Sequence, residues 1–528
     1  MCRSFLCLHI KSFLIKCGPA MTAKVFTSIP YGFDGRIIEV ECAISQGLPQ
    51  FDIVGMANKT VSEARQRVRN AIKSSGLKWP DAHITINLAP AELLKDGNFF
   101  DIPIAISILV ASGQLLEQDT KDRIFVGELS LDGKVRPVRG IINILEACKK
   151  SGFKEAYIPL NNLAHANLFN KVKSFGVDTL LSLVIYLKNQ SELPSETPNV
   201  VKNNKTGIST IFLSEIKGQE LAKKALITAV AGHHNIILSG PPGAGKTMLA
   251  HAAASLLPDL TKEESIELTK IYNLTNSTSD IITSRPFRNP HHTSSIISLV
   301  GGGAKSTPGE VSLAHLGILY LDELPEYPRQ TLESLRQPLE DKSITISRIH
   351  GHSTYPSDFM LLATMNPCPC GYLGDETHEC KCKNIEIQRY KNKLSGPLLD
   401  RIDIRINVDR VKTSDLCSKK LSQEDEQKAA ELQNVVKNNI TEAINRQHQR
   451  YGSDKLFNAN LTSTQVVKYI DIDKSAKEIL DQSSERLNLS ARSYFKVIKV
   501  ARTIADLEAE NVVKPAHIIE ALSFRMEL

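Results

Sequence analysis

The chain has 528 residues, too many for one hydrophobic core, and ordinary domain sizes predict about three folded units. Its composition, 42% hydrophobic and 23% charged, is globular, and no uninterrupted apolar run reaches the roughly 18 residues of a membrane helix, which excludes a membrane-spanning protein. The net charge of +6 permits an anionic partner without demanding one, and ten cysteines, four of them in one short stretch, suit a metal clip in a reducing cytoplasm better than a disulfide framework.

Residues 1–20 imitate a secretory signal, but His9, Lys11 and Lys16 interrupt the apolar run such a signal needs. They are expected to be a tail or a start-site artefact, with Met21 as the start. Residues 21–187 alternate strand patterns (Ile37 to Glu41, His83 to Leu88) with helical ones (Val61 to Ser74, Ile104 to Ala111), predicting an α/β or α+β domain. Residues 188–209 are rich in Ser, Glu, Pro, Asn and Lys with almost nothing to bury, a linker composition. From 210 to 410 the order is helix (Gln219 to Ala231), apolar strand (Asn235 to Ser239), glycine loop and helix, the order of a doubly wound nucleotide fold. Residues 411–528, rich in Glu, Lys, Gln and Ala, predict a helical C-terminal lid.

Gly240-Pro241-Pro242-Gly243-Ala244-Gly245-Lys246-Thr247 fits G-x-x-x-x-G-K-[ST] between that strand and helix. Glycines let backbone N–H groups curl round phosphates, the helix N-terminus favours negative charge, Lys246 reaches the β/γ oxygens and Thr247 is a magnesium ligand. About seventy residues on, Gly317 to Leu321 is a buried-type strand ending in Asp322 and Glu323, where Asp322 would hold magnesium and Glu323 would polarise the attacking water. Either segment alone has a bland reading, a chance turn or a strand ending in surface acids. Together they predict ATP hydrolysis with Mg2+.

A third strand, Phe359 to Met365, ends at Asn366, which resembles the AAA+ sensor-1 position that orients the water. Arg401, in Ser395 to Asp403, resembles the AAA+ arginine finger acting in a neighbouring subunit's site; the plain alternative is local pairing with Asp400 or Asp403. Arg492, in Leu489-Ser490-Ala491-Arg492, resembles sensor 2, a second γ-phosphate contact that couples lid position to nucleotide state, with Arg502 as a nearby packing or surface competitor.

The ATPase half resembles the magnesium-chelatase-like AAA+ group, and residues 23–522 resemble the ComM/YifB competence family. Among the motifs that carry this are Gly47-Leu48-Pro49, Ile53-Val54-Gly55, Asn87 to Ala91, Arg285 to Arg288 and Pro290-His291-His292. Others are Val300 to Gly303, Asn366 to Gly371 and Val500 to Leu507. The resemblance implies a P-loop AAA+ core with a helical lid, in a hexameric motor promoting branch migration of recombination intermediates during uptake of transforming DNA. The alternative is a chelatase-type ATPase remodelling a protein partner, disfavoured because no metal-ion-binding adhesion domain follows. The N-terminal domain resembles the Lon peptidase domain, a ribosomal-protein-like α+β fold. Lys95-Asp96-Gly97 is followed by Asn98-Phe99-Phe100-Asp101 where Lon carries its serine, and Ile142 takes the place of the activating lysine, so the peptidase chemistry looks lost and a binding or ring-assembly role is expected.

Two further groups are candidates. Lys342, Arg348 and His352 fall where related motors carry a pore-facing β-hairpin and could contact DNA phosphates without sequence preference; the basic segment Arg285 to His292 is a second choice. Cys368, Cys370, Cys380 and Cys382 supply four soft ligands for a structural Zn2+, though the pairs have shorter spacing than usual and His378 is an alternative ligand.

Overall fold

A computed structural model of the chain describes residues 21–55, 59–93, 95, 97–195, 211–275, 280–303, 307–348, 351–375, 378–410 and 423–525. The N-terminal tail, most of the predicted linker and residues 411–422 at the predicted start of the lid lie outside the described residues. The described residues form two compact units, those within Met1–Val201, Tyr272–Ile281 and Arg348–Gly351, and those within Lys202–Ile271, Ile282–Ser347 and His352–Leu528.

The first unit is built on a mixed seven-stranded sheet, ordered Gln50–Val54, His83–Ala89, Asp34–Ser45, Met21–Tyr31, Arg123–Phe125, Glu155–Pro159 and Lys173–Val177. The long strands alternate as a half-buried sheet must: Ile38, Val40 and Cys42 point inward between more exposed glutamates, and Ile84, Ile86 and Leu88 do the same across from them. Helix Lys59–Ser74 buries Val61, Ala64, Val68, Ala71 and Ile72, one stripe at helical spacing, whereas helix Asp101–Ala111 is buried on nearly every side. Each isoleucine sealed there contributes about 1.5–3 kcal/mol.

The second unit holds a five-stranded parallel sheet, ordered Phe287–Arg288, Ile318–Leu321, Met360–Met365, Ile236–Ser239 and Ile404–Asn407. Its inner strands are continuous apolar runs because both faces are covered. Register matters here. Leu321 pairs with Ala363, and Ser239 with both Met365 and Asn407, so the residues that follow these strands emerge along one edge of the sheet. The C-terminal part is helical: Gln423–Tyr451, Ser463–Tyr469, Lys474–Arg486, Ala491–Leu507 and Pro515–Ser523. Thr462 and Ser490 cap two of these through bonds from the N–H groups of Gln465 and Ser493. Arg502 is fully buried, its guanidinium held by Asp506 at 3.1 Å and by the Asn511 carbonyl at 2.6 Å, so it is a packing residue of this bundle.

Candidate functional site

The phosphate loop leaves its strand at Gly240, where a Cβ would lie 2.2 Å from the Val408 carbonyl oxygen, so only glycine fits. Gly243 and Gly245 adopt φ of 78° and 82°, and helix Lys246–Leu256 starts directly after them. Lys246 Nζ donates to the carbonyls of Gly240 (2.5 Å) and Pro241 (3.1 Å) and to Asn366 Oδ1 (3.0 Å), which brings the third-strand asparagine onto the loop lysine. Burial draws the Lys246 pKa down to about 8 against the pull of Asp322 and Glu323.

Asp322 Oδ1 accepts hydrogen bonds from the Tyr320 hydroxyl (3.0 Å) and from Thr364 Oγ1 (2.5 Å). The same Thr364 oxygen accepts the backbone N–H of Glu323 at 3.1 Å. Glu323 itself sits in the left-handed region (φ 51°, ψ 51°) and is exposed; such a backbone costs about 1–3 kcal/mol in a non-glycine residue. Tyr320 and Thr364 are thus the fully buried residues that orient the acids, and reading the sequence alone missed both. Their only trace there is a polar atom inside an apolar strand. Thr247 and Asp322 offer a hydroxyl and a carboxylate, the hard oxygen donors magnesium takes beside a nucleotide.

Arg401 and Arg492 belong together rather than with the loop. Arg401 donates to the Pro397 carbonyl (2.7 Å) and to Glu340, and Arg492 donates to the other oxygen of the same Glu340 at 3.2 Å. Asp403, an alternative local partner for Arg401, is engaged elsewhere: Lys496 at 2.9 Å and His234 at 3.0 Å. Burial opposes the Asp403 charge, but these two neighbours outweigh it and hold its carboxyl well below the usual range. Asn235, at the start of the phosphate-loop strand, donates to the Arg401 carbonyl at 2.9 Å. Arg401, Arg492, Lys342, Lys496 and Lys499 are among the residues lining a cavity of 1590 Å³.

Lys342 pairs with Asp358 at 3.0 Å, and so is partly neutralised. Strands Ser343–Arg348 and Gly351–Pro356 form a two-stranded sheet with exposed His352 on it; the Arg348 side chain lies outside the described residues. In the second basic segment, Arg285 grips both oxygens of Glu264 (2.9 Å each) and Arg288 grips Glu310 (2.6 and 2.8 Å), so these arginines brace the fold. In the first unit, Asn98 donates to Glu128 (2.7 Å), Asp101 is buried against Arg67 (2.7 and 3.0 Å), and Ile142 is sealed in helix Ile141–Lys150. Burial pushes the Asp101 carboxyl up to about 6, with Arg67 pulling it back.

The Sγ atoms of Cys368, Cys370, Cys380 and Cys382 all lie within 4.8 Å of one another, and three of the separations are 3.3, 3.6 and 3.6 Å. A tetrahedral zinc with Zn–S of about 2.3 Å would set its sulfurs about 3.8 Å apart, so the four thiols fit such an ion. His378 Nδ1 contacts Arg410 at 3.1 Å and lies outside that set.

Family models match along most of the chain: "Magnesium chelatase, subunit ChlI" at residues 212–416, "Subunit ChlI of Mg-chelatase" at 40–162, and "Magnesium chelatase, subunit ChlI C-terminal" at 430–525. The competence protein ComM of Haemophilus influenzae is 40% identical over 508 residues, 95% of this chain and 97% of its own, and YifB of Salmonella typhimurium is 39% identical over the same shares. The chain belongs to the ComM/YifB family. This ComM/YifB chain has the magnesium-chelatase-like AAA+ fold, with similarity to Lon in its N-terminal region. The Lon protease of Solibacter usitatus is 26% identical over 135 residues, 24% of this chain and 16% of its own length. Among the described residues of this ComM/YifB member, no helix is long and apolar enough to cross a membrane.

Proposed function

We propose that this chain is the subunit of a hexameric, cytoplasmic ATPase that drives branch migration of recombination intermediates as incoming DNA enters the chromosome. The observation that carries the reading is the division of the chemistry into two half-sites. Lys246, Thr247, Asp322, Glu323 and Asn366 converge at one edge of the parallel sheet. Arg401 and Arg492 are tied to each other through Glu340 instead. An ATPase whose charge-stabilising arginines lie apart from its own phosphate loop is completed by a neighbour, and repeated head-to-tail completion closes a ring.

Magnesium, when bound with ATP, neutralises the phosphate charge. The residues of this chain do the rest. Lys246 binds the β/γ oxygens, Thr247 and Asp322, the latter oriented by Tyr320 and Thr364, would hold the metal, Glu323 accepts the proton of the attacking water, and Asn366 orients that water. The two arginines stabilise the charge that develops in the adjacent subunit's site. The four cysteines would hold a structural zinc. The DNA assignment is supported by the Haemophilus relative's being a competence protein and by the two-stranded sheet that carries Arg348 and His352, with Lys342 directly before it. The family-model descriptions favour a second reading, a chelatase-type motor acting on a protein client.

Purified protein is assayed for ATP hydrolysis alone, with linear duplex and with a synthetic four-way junction, at two salt concentrations. Junction-stimulated turnover with strand exchange and a steep salt dependence is expected. Turnover indifferent to every DNA rejects the DNA motor in favour of the protein client.

A further inference from the structure

The segment from Gly371 to Lys383 has almost nothing to fold around. Beyond Gly371 no described apolar residue up to Lys383 is buried, the one sealed side chain is the carboxylate of Asp375, and none of these residues belongs to a helix or strand. Ordering such a stretch costs about 1–2 kcal/mol per residue of backbone entropy, which apolar burial does not offset here. Yet its far end and the residues just before it bring four sulfurs together, and the stretch from Cys368 onward is tied to the ATP site at three places.

The first tie is covalent. Cys368 lies two residues past Asn366, whose Oδ1 accepts the Lys246 bond at 3.0 Å. The second is steric: Gly371 packs so closely on the phosphate loop that a Cβ there would meet Pro242 Cδ at 2.7 Å. The third runs through Arg410, which donates to the Pro242 carbonyl (3.3 Å), contacts His378 (3.1 Å) and Asp375 (3.5 Å), and lies over the Tyr372 ring. Tyr372 and His378 stack with centroids 4.9 Å apart. Anything that fixes the four sulfurs therefore fixes the far side of Asn366 and Pro242 as well.

We propose that a thiophilic metal of the zinc class, held by Cys368, Cys370, Cys380 and Cys382, is a positioning element of the ATP site, setting Asn366 against Lys246 and the Gly371 turn against Pro242. This deepens the ATPase reading and rests on it. The metal takes no part in bond making. It replaces the missing hydrophobic core of the loop, as structural zinc does in small domains. Losing it releases the loop and, with it, the alignment of the sensor asparagine.

The test uses the full-length protein. Metal content is measured by plasma mass spectrometry, zinc release by mercurial titration with a chromogenic chelator, fluorescent ATP-analogue affinity directly, and kcat and KM by steady-state hydrolysis. One zinc per chain is expected in the parent protein. Cys380→Ser with Cys382→Ser should lose the zinc, keep ring assembly and analogue binding within about threefold, and lower kcat at least tenfold. Arg410→Ala retains all four ligands, so it should keep the zinc while raising KM or analogue Kd several-fold, a split that a simple folding defect does not give. Zinc below a tenth of an equivalent in the freshly purified parent overturns the metal site. Zinc lost with kcat, KM and Kd all unchanged overturns the coupling. A parent protein that holds zinc but never hydrolyses ATP, with or without DNA, rejects the ATPase reading and with it the coupling, while the metal site stands.

Discussion

The Lon-like unit and the ATPase unit treat their charged residues in opposite ways. In the first, the polar side chains that stand where a peptidase would keep its machinery are paired with fixed neighbours, Asp101 with Arg67 and the Asn98 amide nitrogen with Glu128, the buried Asn98 Oδ1 alone of these lacking a protein partner. In the second, Lys246 rests on neutral acceptors at lowered pKa and Glu323 is exposed on a strained backbone. A working site keeps polar groups that a ligand can satisfy better than the protein does, while a scaffold has already matched them.

The contrast can be broken in four ways, the largest effect first. Arg401→Ala should lower ATP turnover about a thousandfold, and mixing it with Lys246→Ala subunits should restore part of the activity; no rescue at any mixing ratio sinks the trans assignment. Arg67→Ala should strip Asp101 of its charged partner, leaving only the Leu129 N–H on it, and destabilise the first unit by about 3 kcal/mol, read as a lower melting temperature, while nucleotide binding in the other unit persists. Loss of nucleotide binding in parallel with that melting shift would erase the distinction between the units. Glu323→Gln should cut kcat about a hundredfold with ATP affinity kept, and undiminished turnover would remove Glu323 from its role. The smallest effect is a pH dependence. Lys246 deprotonates near pH 8 in the free protein and is recharged by phosphate, so binding takes up a proton; ATP affinity should hold below pH 8 and fall by up to tenfold per unit above it. A flat affinity from pH 7 to 9.5 contradicts that account.

The phosphate loop was legible because its constraints are local. Positive φ at Gly243 and Gly245 and the close pass of Gly240 by Val408 demand particular residues in a contiguous run. The strands that carry Asp322 and Asn366 were legible as apolar runs of strand length. Thr364 was not, because its role depends on Leu321 pairing with Ala363 across the sheet, a register that no single segment encodes. The pairing of Arg492 with Arg401 was hidden for the same reason: Glu340 stands 152 positions before Arg492, and neither stretch names its partner. The arginines of the Arg285 segment read as a basic patch because charge is visible in sequence and its neutralisation by Glu264 and Glu310 is not.

Glu340 can also be seen as a competitor. Its side chain is 53% exposed, so each of its two ion pairs is worth at most about 1 kcal/mol, far less than a phosphate dianion offers the same pair of arginines. On the trans reading, an isolated subunit screens its own docking charge with a weak internal anion, and a nucleotide-loaded neighbour displaces it. Assembly and nucleotide occupancy are then one equilibrium, so dilution and ATP depletion would each weaken the other's hold on the ring.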